Sequence, residues 1–203
     1  MAKERLKSPR ARLFVALDLP EQLRGDLVAW QKRELTDPAL RPVRPESLHM
    51  TLVFLGYRPE KEIERIAEAA LRVDVPAPDV ALEREPVPVP RGRRPRLLAL
   101  DAPSPGAVEL QAAVERNLVA GRFYEPEKRQ FWPHLTVARV RPERRGSRKP
   151  AAVERWPRPI PERTFLRPIP FVRLVLFRSH LRPQGAVYIP LAETNLKPAT
   201  TER

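Results

Sequence analysis

Two of the three histidines in the sequence begin the same short pattern: a histidine, an apolar residue, a threonine and a second apolar residue. The pattern occurs as HMTL at His49–Leu52 and as HLTV at His134–Val137. Only seven of the 203 residues are threonine, so chance rarely places one two positions after two of three histidines. The repetition indicates a matched pair of chemical groups.

On a β-strand, residues two apart point to the same face. Each motif on a strand therefore presents an imidazole and a hydroxyl together, while its apolar residues pack on the other face. Two such strands around one cavity suit a phosphate. The threonines donate hydrogen bonds to its non-bridging oxygens, and the histidines, whose ordinary pKa is about 6.5, act as acid and base on opposite sides of phosphorus.

A zinc site is the alternative interpretation of paired histidines. The HExxH pattern is absent, no third histidine lies near either motif, and the chain has no cysteine. We therefore expect no metal and no other cofactor. The remaining histidine, His180, has no threonine two positions later and precedes a predicted turn at Pro183–Gly185, so a surface or loop hydrogen bond is its expected role.

The two motifs belong to an internal repeat. RLFVALDLP at Arg12–Pro20 resembles RLLALDAP at Arg96–Pro103, and each segment is followed by an amphipathic helical pattern. The aspartates of the two segments, Asp18 and Asp101, precede the motif histidines by 31 and 33 residues. The repeat predicts two lobes related by a pseudo-twofold axis, with equivalent strands facing each other across a cleft.

The surrounding pattern is mixed α and β. Helices are predicted after Pro20, near Pro59 and after Ser104, which would cap the third helix. Strands are predicted at Arg12–Leu17, Leu48–Leu55, Arg96–Leu100, His134–Val140, Phe171–Phe177 and Ala186–Leu191.

The sequence predicts one bilobal domain over residues 12–195, between a flexible basic leader at 1–11 and a disordered tail at 196–203. Segments rich in proline and arginine interrupt the domain at 75–95 and 141–170. The second of these is predicted to be a mobile surface loop or a lid, because proline blocks helices and like charges repel one another.

The formal net charge of +13 favours a polyanionic partner such as RNA, although a coding bias toward arginine would give the same composition. The absence of cysteine excludes disulfides and a thiol nucleophile and fits a reducing compartment, so we expect a cytoplasmic protein. No signal peptide and no long apolar segment is present, which predicts a soluble chain that does not contact membranes.

With both motifs established, the sequence resembles the two-histidine (2H) phosphoesterases, which are defined by two HxTx motifs. Within them it is most similar to the RNA 2',3'-cyclic phosphodiesterases, also called 2'-5' RNA ligases. Further resemblance lies in LHMTLVFLG and PHLTVARV around the motifs, in RLFVALDLP before them and in the late FRSHLRPQGAVYIPL. The resemblance extends from Arg12 to about Leu191.

This resemblance implies an α+β, bilobal fold in which two antiparallel sheets flank a central cleft and the helices lie outside. It implies that His49 is the proton donor to the leaving oxygen and that His134 is the proton acceptor that activates water. Thr51 and Thr136 would hold phosphate oxygens, and Arg139, which closes the second motif in the family, would be a further phosphate ligand.

Four residues are each left with two possible placements or roles. Arg139 lies an odd number of positions from His134, so strict alternation directs it away from the cleft unless a bulge or the strand's twist turns it back. Phe14 either stacks on a nucleobase or packs in the core. Phe131 and Trp132 either line the cleft or pack beside the second motif.

The activity implied is hydrolysis of RNA ending in a 2',3'-cyclic phosphate to a 2'-phosphomonoester. Neither a GxxxxGK[ST] loop nor a KxDG motif is present, so a 2'-5' ligase reaction would be ATP-independent and no nucleotide cofactor is expected. Hydrolysis is favoured because water far exceeds an RNA hydroxyl in concentration. The alternatives are a phosphodiesterase for another small cyclic phosphate and a non-catalytic RNA-binding relative. A monomer is expected.

Overall fold

The computed structural model of the chain describes residues 9–92, 94–161, 168–182 and 185–198. The helices are α1 (Glu21–Glu34), α2 (Ile63–Leu71) and α3 (Pro105–Ala120). The strands are β1 (Arg10–Asp18), β2 (Leu40–Pro42), β3 (His49–Pro59), β4 (Asp79–Val80), β5 (Val87–Val89), β6 (Leu97–Asp101), β7 (His134–Val140), β8 (Ile169–Pro170), β9 (Arg173–Arg182) and β10 (Gly185–Asn195). Single 3-10 turns precede β3 and α2.

Two four-stranded antiparallel sheets organise the molecule. The first has the strand order β10-β9-β1-β3 and the second has the order β2-β7-β6-β5, while β4 and β8 form a separate short pair. Each motif lies at the start of a strand, β3 in the first sheet and β7 in the second. The predicted α+β fold with two antiparallel sheets is confirmed.

The internal repeat appears in the backbone register of the two sheets. Asp18 lies directly opposite His49 in the β1–β3 pair, and Asp101 lies directly opposite His134 in the β6–β7 pair. Both pairs also shift register after the threonine of the motif, so that the fourth motif residue bulges out of the ladder in each sheet. The two strand pairs are therefore equivalent units.

The helices follow the predicted apolar patterns. In α1, Leu23, Leu27 and Trp30 are buried one turn apart. The side chain of Ser104 accepts a hydrogen bond from Ala107 N at 3.1 Å and so caps α3, with proline in its first turn. No helix among the described residues is long and apolar enough to cross a membrane.

Both ends of the predicted domain need correction. Strand β1 begins at Arg10, so the last two residues of the predicted leader pair with β3, while residues 1–8 lie outside the described part. At the other end Leu196 is buried in the core and its N–H donates to Val172 O. Lys197 O accepts from Ala77 N. Residues 196–197 are therefore part of the packed domain, and 199–203 lie outside the described residues.

Residues 141–170, which follow β7, were predicted to form a mobile loop or a lid. Within this segment, residues 151–161 are instead held against α1 and the turn that follows it. The buried carboxylate of Asp37 accepts hydrogen bonds from the N–H groups of Glu154 and Arg155 at 2.9 and 2.8 Å. The indole of Trp30 donates to Arg158 O at 3.0 Å, and Ile160 is fully buried. The segment 151–161 therefore serves as a strap, because its backbone amides satisfy groups that α1 and the following turn leave open.

Candidate active site

The starts of β3 and β7 meet at one cavity. The two strands contact each other, and a cavity of about 650 Å³ is lined by His49, Thr51, His134 and Thr136 together. Its volume falls in the range of ordinary small-molecule sites. The structure thus brings both motifs to one centre, with side chains from both sheets.

Both histidine rings are held in the same way. His49 Nδ1 lies 2.8 Å from Ser47 O, and His134 Nδ1 lies 2.7 Å from Trp132 O. Because a carbonyl oxygen only accepts, each Nδ1 carries a proton and donates it. The backbone two residues earlier therefore leaves Nε2 as the exchangeable nitrogen of each ring.

His49 is enclosed by aromatic rings. Its centroid lies 4.9 Å from that of Phe14, 5.1 Å from that of Tyr188 and 5.9 Å from that of Phe177. Burial lowers the pKa of His49 to about 4, against the opposing effects of the Ser47 carbonyl and the Asp18 carboxylate, which raise it. With this pKa His49 is neutral at pH 7, and its Nε2 accepts a hydrogen bond from Thr51 Oγ1 at 3.0 Å.

His134 has a more open setting. One face of its ring stacks on Trp132, with centroids 4.0 Å apart and planes 12° apart. Burial lowers the pKa of His134 as well, and the nearby Arg129 adds to this, while the Trp132 carbonyl and Asp101 raise it. The indole N–H of Trp132 donates to Asp101 Oδ1 at 2.7 Å. Trp132 thus positions the imidazole through both its ring and its backbone carbonyl.

A β-bulge brings Arg139 to the cavity. In the β6–β7 ladder, Leu98 pairs with Ala138 and Ala99 pairs with Thr136, so Val137 has no partner. Val137 and Ala138 are both buried, which shifts the alternation of the strand by one residue. Arg139 consequently lines the same cavity as His134 and Thr136. Of the two orientations left open by the sequence, the structure gives the one that a bulge produces.

The equivalent bulge in β3 brings Phe54 to the cavity, and sequence reasoning missed it. Leu52 has no partner in the β1–β3 ladder, and Phe54, five residues after His49, is exposed and lines the cavity. The guanidinium of Arg12 lies over its ring, 4.5 Å from the centroid. The internal repeat was the available signal, because it aligns Phe54 with Arg139.

The cavity is strongly cationic. Five arginines line it: Arg12, Arg41, Arg44, Arg139 and Arg141. No aspartate or glutamate is among the described residues that line it. Only Arg139 was singled out from the sequence. The others lie on β1, on β2 and in the turns that follow β2 and β7, where neither spacing nor a motif distinguishes them from surface arginines.

A second cavity of about 590 Å³ adjoins the same centre and shares Thr51, Phe54 and His134 with the first. Phe131 and Trp132 line it, so the structure places both beside the cleft. Its charged lining residues are of both signs: Glu115, Glu127, Lys128 and Arg129.

The structure also places Phe14 and His180, two other residues that were considered from the sequence. Phe14 is 3% exposed, and its ring stacks on Phe177 at 5.2 Å and contacts His49 and Tyr188. Phe14 also lines the first cavity. Its ring therefore packs against the imidazole of His49, and its stacking on a nucleobase stays a prediction. His180 lies on β9 opposite Val187 of β10 and lines neither cavity.

Comparison with known proteins adds a family to this geometry. Residues 17–89 match the family model described as LigT like phosphoesterase. The chain is 34% identical over 192 residues to the RNA 2',3'-cyclic phosphodiesterase of Thermus thermophilus, covering 92% of this chain and 90% of that protein. It is 30% identical over 130 residues to the RNA 2',3'-cyclic phosphodiesterase of Escherichia coli, covering 63% of this chain and 71% of that protein.

Solved structures have the same fold. A Thermus thermophilus crystal structure is 30% identical with a TM-score of 0.68, over 93% of this chain and 99% of that chain. The crystal structure of Escherichia coli LigT with 3'-AMP is 24% identical with a TM-score of 0.69, over 93% and 99% of the two chains. The second likeness concerns the fold alone.

Proposed function

The chain belongs to the LigT-like phosphoesterase family, and on this premise we propose that it is an RNA 2',3'-cyclic phosphodiesterase that hydrolyses terminal 2',3'-cyclic phosphate to a 2'-phosphomonoester. One observation carries the proposal. Two imidazoles, each with Nδ1–H fixed on a backbone carbonyl, share a cavity that five arginines line. Such a cavity suits an anion flanked by an acid and a base.

The phosphate is held by hydroxyl and guanidinium donors. Thr51 and Thr136 donate their hydroxyl protons to its non-bridging oxygens, and Arg139 supplies a charge-assisted hydrogen bond. In the structure the Thr51 hydroxyl donates a hydrogen bond to His49 Nε2. Substrate binding therefore requires this hydroxyl to turn from the imidazole to the phosphate.

The histidines transfer one proton each. His134 Nε2 accepts a proton from water as the water oxygen bonds to phosphorus. His49 Nε2–H gives its proton to the 3' oxygen as the phosphorus–O3' bond breaks. The products are a 3'-hydroxyl and a 2'-phosphomonoester, with His134 protonated and His49 neutral, and proton exchange with solvent restores the starting state.

The substrate itself supplies the charge that His49 needs. An anion beside an imidazolium favours the protonated form and raises its pKa. The aromatic surroundings of His49 exclude water, which disfavours a charged imidazole. The same exclusion of water reduces dielectric screening and so strengthens the attraction between a protonated His49 and a bound phosphodiester. Binding and protonation of His49 are thus coupled, and the acid becomes charged where the leaving oxygen lies.

The same acid and base would run the ligation of a 2',3'-cyclic end to a 5'-hydroxyl, because that step also conserves a phosphodiester. The RNA hydroxyl would take the place of water, without ATP. We further propose that the enzyme acts as a monomer and that it works in the cytoplasm, a reducing compartment that the absence of cysteine fits.

Product analysis on a defined RNA oligonucleotide with a 2',3'-cyclic end, with EDTA and without ATP, tests this function. We expect a 2'-phosphomonoester only. A 3'-phosphomonoester would contradict the roles of the two oxygens. Binding without turnover would favour the RNA-binding alternative, and turnover of small cyclic phosphates but not of the oligonucleotide would favour the other phosphodiesterase.

A further inference from the structure

Arg41 lies beside Arg139 without a balancing carboxylate among the residues that the structure describes. In the β2–β7 pair the two arginines are directly opposite each other, and both line the first cavity. Like charges opposite one another on neighbouring strands destabilise a sheet. Among the described residues no aspartate or glutamate forms an ion pair with either. Two neighbouring guanidinium groups of this kind are stabilised by bound anions, which balance their positive charges.

The guanidinium of Arg41 is held in place by packing against a neighbouring strand. Its guanidinium packs against the backbone of Gly185, where an added Cβ would lie 3.4 Å from the guanidinium carbon. Gly185 has a φ of 119°, a conformation that glycine adopts without strain. Burial lowers the pKa of Arg41, and the neighbouring arginines, Arg139 first, lower it further. The side chain is therefore half-buried between β2 and the start of β10 with its charge unmatched.

The two cavities at the histidines differ in what they can receive. The first has arginines and no carboxylate among its described lining residues. In the second, Glu115 and Glu127 offset the positive charges of Lys128 and Arg129, so the lining attracts phosphate less strongly. A second phosphate of the substrate is therefore accommodated in the first cavity, on the side where Arg41 lies.

We propose that Arg41 binds the 5'-phosphate of the nucleotide that carries the cyclic phosphate, while Arg139 holds the cyclic phosphate itself. This subsite rests on the proposed function and adds a specificity to it. The enzyme would distinguish a nucleotide within a chain from a free nucleoside 2',3'-cyclic phosphate. The two anions belong to one nucleotide, and they match two guanidinium groups on adjacent strands.

Two substrates that differ in a single group test the subsite: adenosine 2',3'-cyclic phosphate with and without a 5'-phosphate. For the wild-type protein we expect the 5'-phosphate to raise kcat/KM at least about 10-fold, as is usual for a hydrogen bond between charged groups. Arg41→Gln should reduce this ratio to near one. Arg41→Lys, which retains the charge but not the fork of donors, should keep part of it.

Arg116→Gln is the matched control, because Arg116 is an exposed arginine of α3 that lines neither cavity. It removes the same charge and should leave the ratio unchanged. Circular dichroism and the melting temperature of each variant establish that it is folded. If the wild-type protein hydrolyses neither these mononucleotides nor the cyclic-ended oligonucleotide, the proposed function fails. If it hydrolyses the oligonucleotide alone, the 5'-phosphate is not a sufficient recognition group and the subsite is wrong. If it hydrolyses both mononucleotides equally, or if Arg41→Gln keeps the full ratio, the subsite alone is wrong.

Discussion

The two halves of the molecule use the same backbone device and surround it with different chemistry. In each half a strand begins with histidine, an aspartate lies opposite, and Nδ1–H donates to the carbonyl two residues earlier. In the first half three aromatic rings enclose the imidazole. In the second half a single indole lies on one face, beside a cavity that contains charged groups.

This difference shows that the surroundings, and not the motif, set the protonation of each histidine. The motif fixes which nitrogen is available, whereas the solvation of the ring determines how readily that nitrogen holds a proton. Burial lowers the pKa of both histidines, so in the proposed mechanism the bound phosphate has to raise the pKa of His49 before it can act as the acid.

Removal of either imidazole is the most severe test of this comparison. His49→Ala and His134→Ala should each lower kcat on a cyclic-ended oligonucleotide by about 10²–10⁴-fold. The double variant should be only slightly slower than the slower single variant, because the two groups act as a unit. Product formation measured at saturating substrate checks both expectations. A loss below about 10-fold would remove that histidine from its role.

A substrate with sulfur in place of the 3' bridging oxygen separates the two roles. A thiol has a pKa of about 8.5, so its thiolate leaves without needing a proton. This substrate should restore most of the activity of His49→Ala and none of that of His134→Ala. Rescue of His134→Ala instead would exchange the acid and base assignments.

The pH dependence gives the next largest effect. Below both pKa values the two histidines are protonated and no base remains, and above both they are neutral and no acid remains. Because burial lowers both pKa values, the maximum of kcat/KM, which reports the free enzyme, should lie below about pH 6.5. The maximum of kcat, which reports the substrate complex, should lie at higher pH, because the bound anion raises the pKa of His49.

Titration by NMR of the histidine Cε1–H signals, with and without inorganic phosphate, checks the cause directly. The pKa of His49 should rise from about 4 on phosphate binding, and by more than that of His134. Equal shifts would mean that the aromatic enclosure does not strengthen the effect of the anion.

The opposing aspartates give the smallest effect. Asp18 raises the pKa of His49, so Asp18→Asn should lower that pKa further and reduce kcat/KM at pH 7 by up to about 10-fold for each unit lost. Asp101→Asn should cost less, because the base His134 only becomes more completely neutral.

Asp74→Asn, at an exposed position whose ion pair among the described residues is with Lys197, is the control for removal of a carboxylate. The pH profile is needed beside the rate, because Asp18 also binds Arg24 and Arg173 at 2.7 and 3.0 Å. A change in the melting temperature without a shift of the profile would make Asp18 a purely structural residue.

Local spacing was sufficient to predict much of the fold and the centre of the site. The strands that carry the motifs and the helices after Pro20 and Ser104 follow patterns of two to four residues. The repeat follows from the similar segments at Arg12–Pro20 and Arg96–Pro103 and their similar distances to the motif histidines. The structure accordingly brings His49 and His134 to one cavity.

What the sequence did not reveal depends on contacts between distant segments. Strand β2 has three residues, too few to show a period, so Arg41 had no signal. The strap at 151–161 is held by backbone amides on Asp37, and backbone groups leave no trace in residue types. Leu196 packs through the same kind of distant contact.

The bulge at the fourth motif residue separates catalysis from recognition along one strand. It places the fifth residue after each histidine at the cavity, as an arginine in one half and a phenylalanine in the other. Substitution of Phe54 would therefore change the ligand contacts at the cavity while both proposed proton-transfer groups stay in place, whereas substitution of Arg139 would also remove a proposed ligand of the reacting phosphate. Of these two positions, residue 54 is therefore the better one at which to engineer ligand preference.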